Sequence, residues 1–131
     1  MPVPIPPAHG WAVDRVTPAF VVATTDPAVV HPFALFGSLT RLSRDGVVVW
    51  VMTIGRNRPR FPRRTTWPPR LASFRVERGW EGQPATRIQQ RVWVGAVRGL
   101  DLDVRVYFGT QRVGPRLRAL AQAELDRLRL P

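Results

Sequence analysis

The residues best suited to bind a charged ligand lie in one short segment, residues 56–70, which reads RNRPRFPRRTTWPPR. This arginine loop holds six arginines, four prolines and two aromatic residues, and it contains no acid. A guanidinium group binds phosphate or carboxylate through two parallel N–H donors, and it also stacks on aromatic rings. Because proline restricts the backbone, we expect the loop to stand stiffly clear of the fold. The predicted anion-binding residues are Arg56, Arg58, Arg60, Arg63, Arg64, Trp67 and Arg70.

The positive charge is concentrated in the C-terminal part of the chain. All twenty basic residues are arginine, and with nine acids the 131-residue chain carries a formal net charge of +11. Residues 1–55 balance three arginines with three acids, whereas residues 56–131 hold seventeen arginines and six acids. Either the binding chemistry of guanidinium or a GC-rich codon usage would account for the choice of arginine over lysine, but codon usage does not explain this clustering. We therefore expect a polyanion or an acidic protein as the partner.

The elements that must position the loop are mainly strands. Apolar residues make up 44% of the chain and charged residues 22%, which is typical of a globular domain. Residues 1–10 are expected to form an extended proline-rich tail, and residues 11–131 a single β-rich domain. The predicted fold class is α+β, mainly β. It has about seven antiparallel strands in a bent sheet or small sandwich, followed by an amphipathic helix over residues 115–129.

This order of elements is similar to that of pleckstrin-homology-like domains, in element count alone. A small β-sandwich with an appended helix fits the same count. No motif assigns the chain to a family.

One hairpin is predicted around Asp45-Gly46, a dipeptide typical of tight turns. The turn would join strands over residues 35–42 and 47–54 and pair Leu42 with Val49. The second strand, VVVWVMTI, is apolar on both faces, which indicates a central position in the sheet.

A second hairpin is predicted over residues 87–108, and its register decides which side chains share a face. A three-residue loop over residues 97–99 aligns the apolar residues of the two strands, with Gly99 at the left-handed position. A two-residue turn at Arg98-Gly99 aligns them less well, so we expect the longer loop. The outward face then becomes a second candidate surface for an anion, formed by Arg91, Trp93, Arg105 and Tyr107.

Signs of catalysis are few. Asp101 and Asp103 would project from one strand face about 7 Å apart, a spacing compatible with paired carboxylates. Nearby Arg91 and Arg105 favour ionised, salt-bridged carboxylates instead, because a general acid needs a raised pKa. We therefore expect no enzymatic activity.

No cofactor or metal site is expected either. The chain has no cysteine, and His9 and His31 lack partners at metal-ligand spacing. The absence of a long apolar run and of a signal peptide favours a cytoplasmic location.

Two functions are weighed against catalysis. The first is a non-catalytic binding module that docks the arginine loop onto an anionic partner: a nucleic acid, an anionic surface or an acidic protein. The second is a scaffold component that assembles with other chains without binding a polyanion, and a homo-oligomer is one form of it. The charge asymmetry favours the binding module.

Overall fold

The computed structural model describes residues 12–17, 20–26, 39, 41–54, 59–78 and 87–130. The strands are β1 (Ala12–Thr17), β2 (Phe20–Thr24), β3 (Val47–Ile54), β4 (Arg75–Arg78), β5 (Gln89–Val97) and β6 (Leu100–Phe108). They form one antiparallel sheet in the order β1-β2-β3-β6-β5-β4. A 3-10 helix, Leu71–Ser73, precedes β4, and helix α1, Pro115–Leu125, follows β6. The prediction of a mainly β fold with a C-terminal helix is confirmed.

The strand count of about seven and the pleckstrin-homology-like order stay predictions. The predicted tail over residues 1–10, like residues 27–38 and 79–86, lies outside the described residues.

Helix α1 covers one face of the sheet. Leu117, Ala121 and Leu125 are buried at helical spacing and pack against the apolar side chains of β3 and β6. Pro115 occupies the first turn, where the missing N–H costs no hydrogen bond. The helix ends at Leu125 rather than at residue 129, although Leu128 still packs into the same cluster.

The opposite face is covered by residues that precede β3. Leu39 and Leu42 are fully buried there against Val48 and Tyr107. Since β3 lies between these two layers, its apolar character on both faces is explained, and its predicted central position is confirmed.

The predicted pairing of Leu42 with Val49 is wrong. Strand β3 pairs with β2 on one side and with β6 on the other, so that Val49 lies opposite Ala23 and Val106. A turn does form here, but one residue earlier than predicted: the Gly46 N–H donates to the Ser43 carbonyl at 2.9 Å, so Arg44 and Asp45 are its central residues. After this turn the chain enters β3 from the layer that covers one face of the sheet, because β2 and β6 already pair with the two edges of β3.

The predicted register of the second hairpin is also wrong. Val97 lies opposite Leu100, and Trp93 lies opposite Val104, so the turn contains only two residues. Arg98 and Gly99 have φ angles of 50° and 80°, and such a turn matches the right-handed twist of the strands. Both faces of β5 and β6 are buried, so matching apolar residues across the strands did not reveal the register.

Candidate functional site

Residues 59–70 of the arginine loop lie against the sheet. The Ala96 N–H donates to the Pro62 carbonyl at 2.8 Å, and the Arg64 N–H donates to the Ala96 carbonyl at 2.9 Å. These bonds form a parallel bridge between Arg63 and Ala96. Strand β4 pairs only with residues 89–92 of β5, which leaves this edge open to the loop. The expectation that the loop stands clear of the fold is therefore wrong for its described part.

A buried carboxylate holds the N-terminal part of the described loop. The Asp101 side chain, near the start of β6, accepts hydrogen bonds from the backbone N–H groups of Arg60 and Phe61 at 2.9–3.1 Å. Asp101 is fully buried. The sequence spacing is compatible with Asp101 as half of a carboxylate pair, whereas in the fold it anchors the loop.

Helix α1 holds the other end of the loop. The Leu71 N–H donates to Gln122 Oε1 at 2.8 Å, and Gln122 Nε2 donates to the Pro69 carbonyl at 3.4 Å. The Ser73 hydroxyl donates to the Arg70 carbonyl at 2.6 Å. The loop backbone is thus fixed to β5, to β6 and to α1.

Trp67, the aromatic residue among the predicted anion-binding residues, packs inside the protein instead. The Trp67 ring lies 5.9 Å from that of Trp93, centroid to centroid, with a 59° angle between the ring planes. Trp67 is half-buried against the cluster beneath α1. Its role is therefore structural in this arrangement.

Arg64 is held over Trp93 by three features. Its Cζ lies 5.6 Å from the ring centroid, a cation–π contact, and its Nε donates to the Val94 carbonyl at 3.3 Å. Gly95 leaves room for the stem of Arg64, since a Cβ at Gly95 would approach Arg64 Cγ to 2.4 Å. A small residue at this position lets a cationic side chain lie flat on β5.

These contacts build an open groove, the arginine groove, with a volume of about 360 Å³. Its lining residues are Arg63, Arg64, Thr65, Thr66, Pro69, Arg70, Ser73 and Trp93. All three arginines are exposed. Within the described part of the chain no Asp or Glu side chain forms an ion pair with them. The groove is therefore cationic and not neutralised by those acids.

The remaining predicted loop residues are not part of this groove. Arg60 is exposed but does not line it, and it too lacks an ion pair with any described acid. Arg56 and Arg58 lie outside the described residues.

The second candidate surface is divided between the two faces of the sheet. Because of the two-residue turn, Arg91 and Trp93 face α1, whereas Arg105 and Tyr107 face the layer that contains Leu39. The four side chains do not form one surface.

Arg105 and Arg91 both make contacts within the fold. Arg105 Nε and NH2 each lie 3.1 Å from a different oxygen of Asp103, and its Cζ lies 4.9 Å from the Trp50 ring centroid. Burial by itself would lower the pKa of Arg105, but the hydrogen bonds and charge of Asp103 raise it. Arg91 lies over the Phe108 ring at 5.1 Å, and burial, together with the charge of Arg118, lowers its pKa.

Sequence reasoning missed the residues that hold the groove together. Trp93 was assigned to a surface that does not exist, and neither Gly95 nor the anchoring role of Asp101 was predicted. The position of Asp101, two residues after the turn glycine, gave no sign of its distant backbone partners.

Among residues 12–130 that the structure describes, no three His, Asp or Glu side chains cluster as metal ligands would. No helix in the same residues is both long and apolar enough to span a bilayer. The cytoplasmic location stays a prediction.

No protein-family model matches the chain. The curated proteins and the solved structures give no match either.

Proposed function

We propose that this protein is a non-catalytic binding module that engages an anionic partner through the arginine groove. The observation that carries the proposal is the convergence of Arg63, Arg64 and Arg70 on one exposed groove without a neutralising acid among the described residues. Neighbouring like charges repel one another, and an anion placed between them removes that repulsion.

The anchored backbone supports the same proposal. Ordering a mobile arginine on binding costs side-chain entropy, and a side chain held beforehand loses less of it. Arg64 is already held by Trp93 and by the Val94 carbonyl. Asp101, Ala96 and Gln122 fix the backbone on both sides of the groove. A groove of this kind suits binding more than it suits a solvated connection between strands.

The test compares two variants of equal net charge. The groove variant is R63S/R64S/R70S. The control is R41S/R44S/R116S, which removes three exposed arginines outside the groove. The measurement is the affinity for a short oligonucleotide and for heparin at low salt.

We expect the groove variant to lose roughly 100-fold in affinity, from about 1 kcal/mol for each of three contacts. The control should lose only a few-fold, through the weaker overall field. Equal losses in the two variants would show that the groove is not the binding surface. Salt-insensitive self-association without anion binding would favour the scaffold function.

A further inference from the structure

We infer that the ligand group held in the arginine groove is a phosphate, an assignment that rests on the function proposed above. The alternative anion is a carboxylate, as an acidic protein would supply. The donors that line the groove distinguish the two.

The groove offers more donors than one carboxylate accepts. Arg63 and Arg70 each present a planar fork of N–H groups, and Arg64 keeps its two terminal NH2 groups because only its Nε donates to Val94. The hydroxyls of Thr65 and Thr66 line the same wall. One fork donates once to each oxygen of a carboxylate, and the roughly two acceptor sites that remain lie in the same plane, so a single carboxylate cannot use the donors of all three arginines. A phosphate group presents its acceptor oxygens in three dimensions, three in a monoester and two non-bridging ones in each phosphodiester of a strand, so it accepts from several forks and hydroxyls together.

The two threonine hydroxyls are available for this purpose. Thr65 and Thr66 are exposed, and neither makes a hydrogen bond within the described part of the protein. The hydroxyl of Ser73 differs from them, because it already donates to the Arg70 carbonyl. Thr65 and Thr66 therefore add directional donors to the groove, while Ser73 positions Arg70.

The aromatic side chain of the groove is not open to a nucleobase. Trp93 is only 4% exposed, and the guanidinium of Arg64 lies over its ring. Stacking of a base requires a free ring face. The groove thus recognises phosphate and not the base, and a nucleic-acid strand would bind with little base preference.

The experiment titrates the full chain with inorganic phosphate and with malonate, which carry similar charge near neutral pH, and records binding by calorimetry. Three variants accompany the wild type: T65A/T66A, the groove variant, and S43A, which removes an exposed hydroxyl outside the groove. We expect phosphate to bind about tenfold tighter than malonate, and T65A/T66A to remove most of that difference. S43A should behave as the wild type, and the groove variant should bind neither anion.

Two further titrations identify the source of the phosphate. If inorganic phosphate displaces bound oligothymidylate, the phosphate in the groove belongs to a nucleic-acid strand. If the protein binds inorganic phosphate but does not bind oligothymidylate, the phosphate belongs to a small phosphorylated molecule. Equal affinities for phosphate and malonate, both lost in the groove variant, would overturn the phosphate assignment and leave the binding function standing. Wild-type protein that binds none of these anions would overturn both.

Discussion

The carboxylate of Asp101 accepts hydrogen bonds from the backbone N–H of Arg60, with N–O distances of 2.9 and 3.1 Å, across forty-one positions of sequence. Asp101 belongs to β6, and Arg60 lies in the most cationic segment of the chain. The Asp101 side chain thus holds the arginine loop through the backbone N–H groups of the loop. The neighbouring guanidinium groups of the groove stay available because Asp101 does not form an ion pair with them.

Replacement of Asp101 by asparagine should loosen the loop and weaken binding. Loss of charged acceptors for two backbone donors costs about 1–3 kcal/mol of the free energy of unfolding. Removing an acid should by itself strengthen the attraction for an anion, so a weaker affinity identifies loss of the anchor as the cause. Urea unfolding measures the first effect, oligonucleotide affinity the second, and hydrogen exchange at Arg60 and Phe61 locates the change.

The matched control is D45N, which removes the same charge at an exposed turn position. It should leave stability within about 0.5 kcal/mol of the wild type. Unchanged exchange at Arg60 and Phe61 in D101N would mean that Asp101 is not the anchor.

Replacement of Gly95 by alanine should displace Arg64 from Trp93. The added Cβ would come within 2.4 Å of Arg64 Cγ and 2.8 Å of Trp93 Cη2, so the arginine stem must move. Ordering the freed arginine on binding would then cost about 1 kcal/mol of side-chain entropy, which corresponds to roughly fivefold weaker anion binding. Calorimetry or fluorescence titration with an oligonucleotide measures this change.

A double-mutant cycle shows whether Gly95 acts through Arg64. In the R64S background, G95A should no longer change the affinity, because the side chain it displaces is absent. An equal loss in both backgrounds would mean that alanine disturbs the groove by another route.

Helix α1 carries a buried carboxylate that makes stability depend on pH. Glu124 is 1% exposed, and its two oxygens have no hydrogen-bond partner among the described residues. Arg127 Nε approaches one of them to 4.0 Å. Burial raises the pKa of Glu124, and the charge of Arg127 opposes that rise only in part.

The E124Q variant should therefore be more stable than the wild type at neutral pH. The pKa of Glu124 is higher in the folded protein than its ordinary value of 4.5. The stability that protonated Glu124 contributes is therefore fully present below pH 4.5, and it is lost as pH rises through the pKa of the folded protein. Thermal unfolding from pH 4 to 8 should show this loss in the wild type and a flatter profile in E124Q. Each kcal/mol that E124Q gains in the free energy of unfolding corresponds to a rise of about 4 °C in the melting temperature.

The D45N variant serves as the control here too, because it removes a charge that is exposed. Parallel pH profiles for E124Q and the wild type would show that Glu124 does not titrate with folding.

Local patterns in the sequence predicted the elements but not how they pair. The leucine spacing of α1 reflects one buried face, whereas β6 is buried on both faces although residues 100–108 alternate; both elements were predicted close to their observed positions. Strand β3 was predicted to pair with residues 35–42, whereas its partners are β2 and β6. Such pairing depends on contacts distant in sequence, and a turn motif such as Asp45-Gly46 does not report them.

The sequence predicted which residue types form the candidate site but not how the fold arranges them. A run of arginines and prolines can be recognised from the sequence alone, so the positive charge of the groove could be predicted. Its shape depends on Ala96, Asp101 and Gln122, which anchor the loop through its backbone, and a backbone partner leaves no pattern in side-chain types. Register errors also carry over to side chains, as the division of Arg91 from Arg105 shows.

The central claim is that Arg63, Arg64 and Arg70 together hold the anion, and the salt dependence of oligonucleotide affinity tests it most directly. For a single strand, each neutralised phosphate contributes about −0.7 to the slope of log K against log salt concentration. The slope should therefore be shallower by about 2 in R63S/R64S/R70S and nearly unchanged in R41S/R44S/R116S. The same slope in the wild type and both variants would contradict the claim, since the affinity would then come from the net charge of the protein and not from the groove.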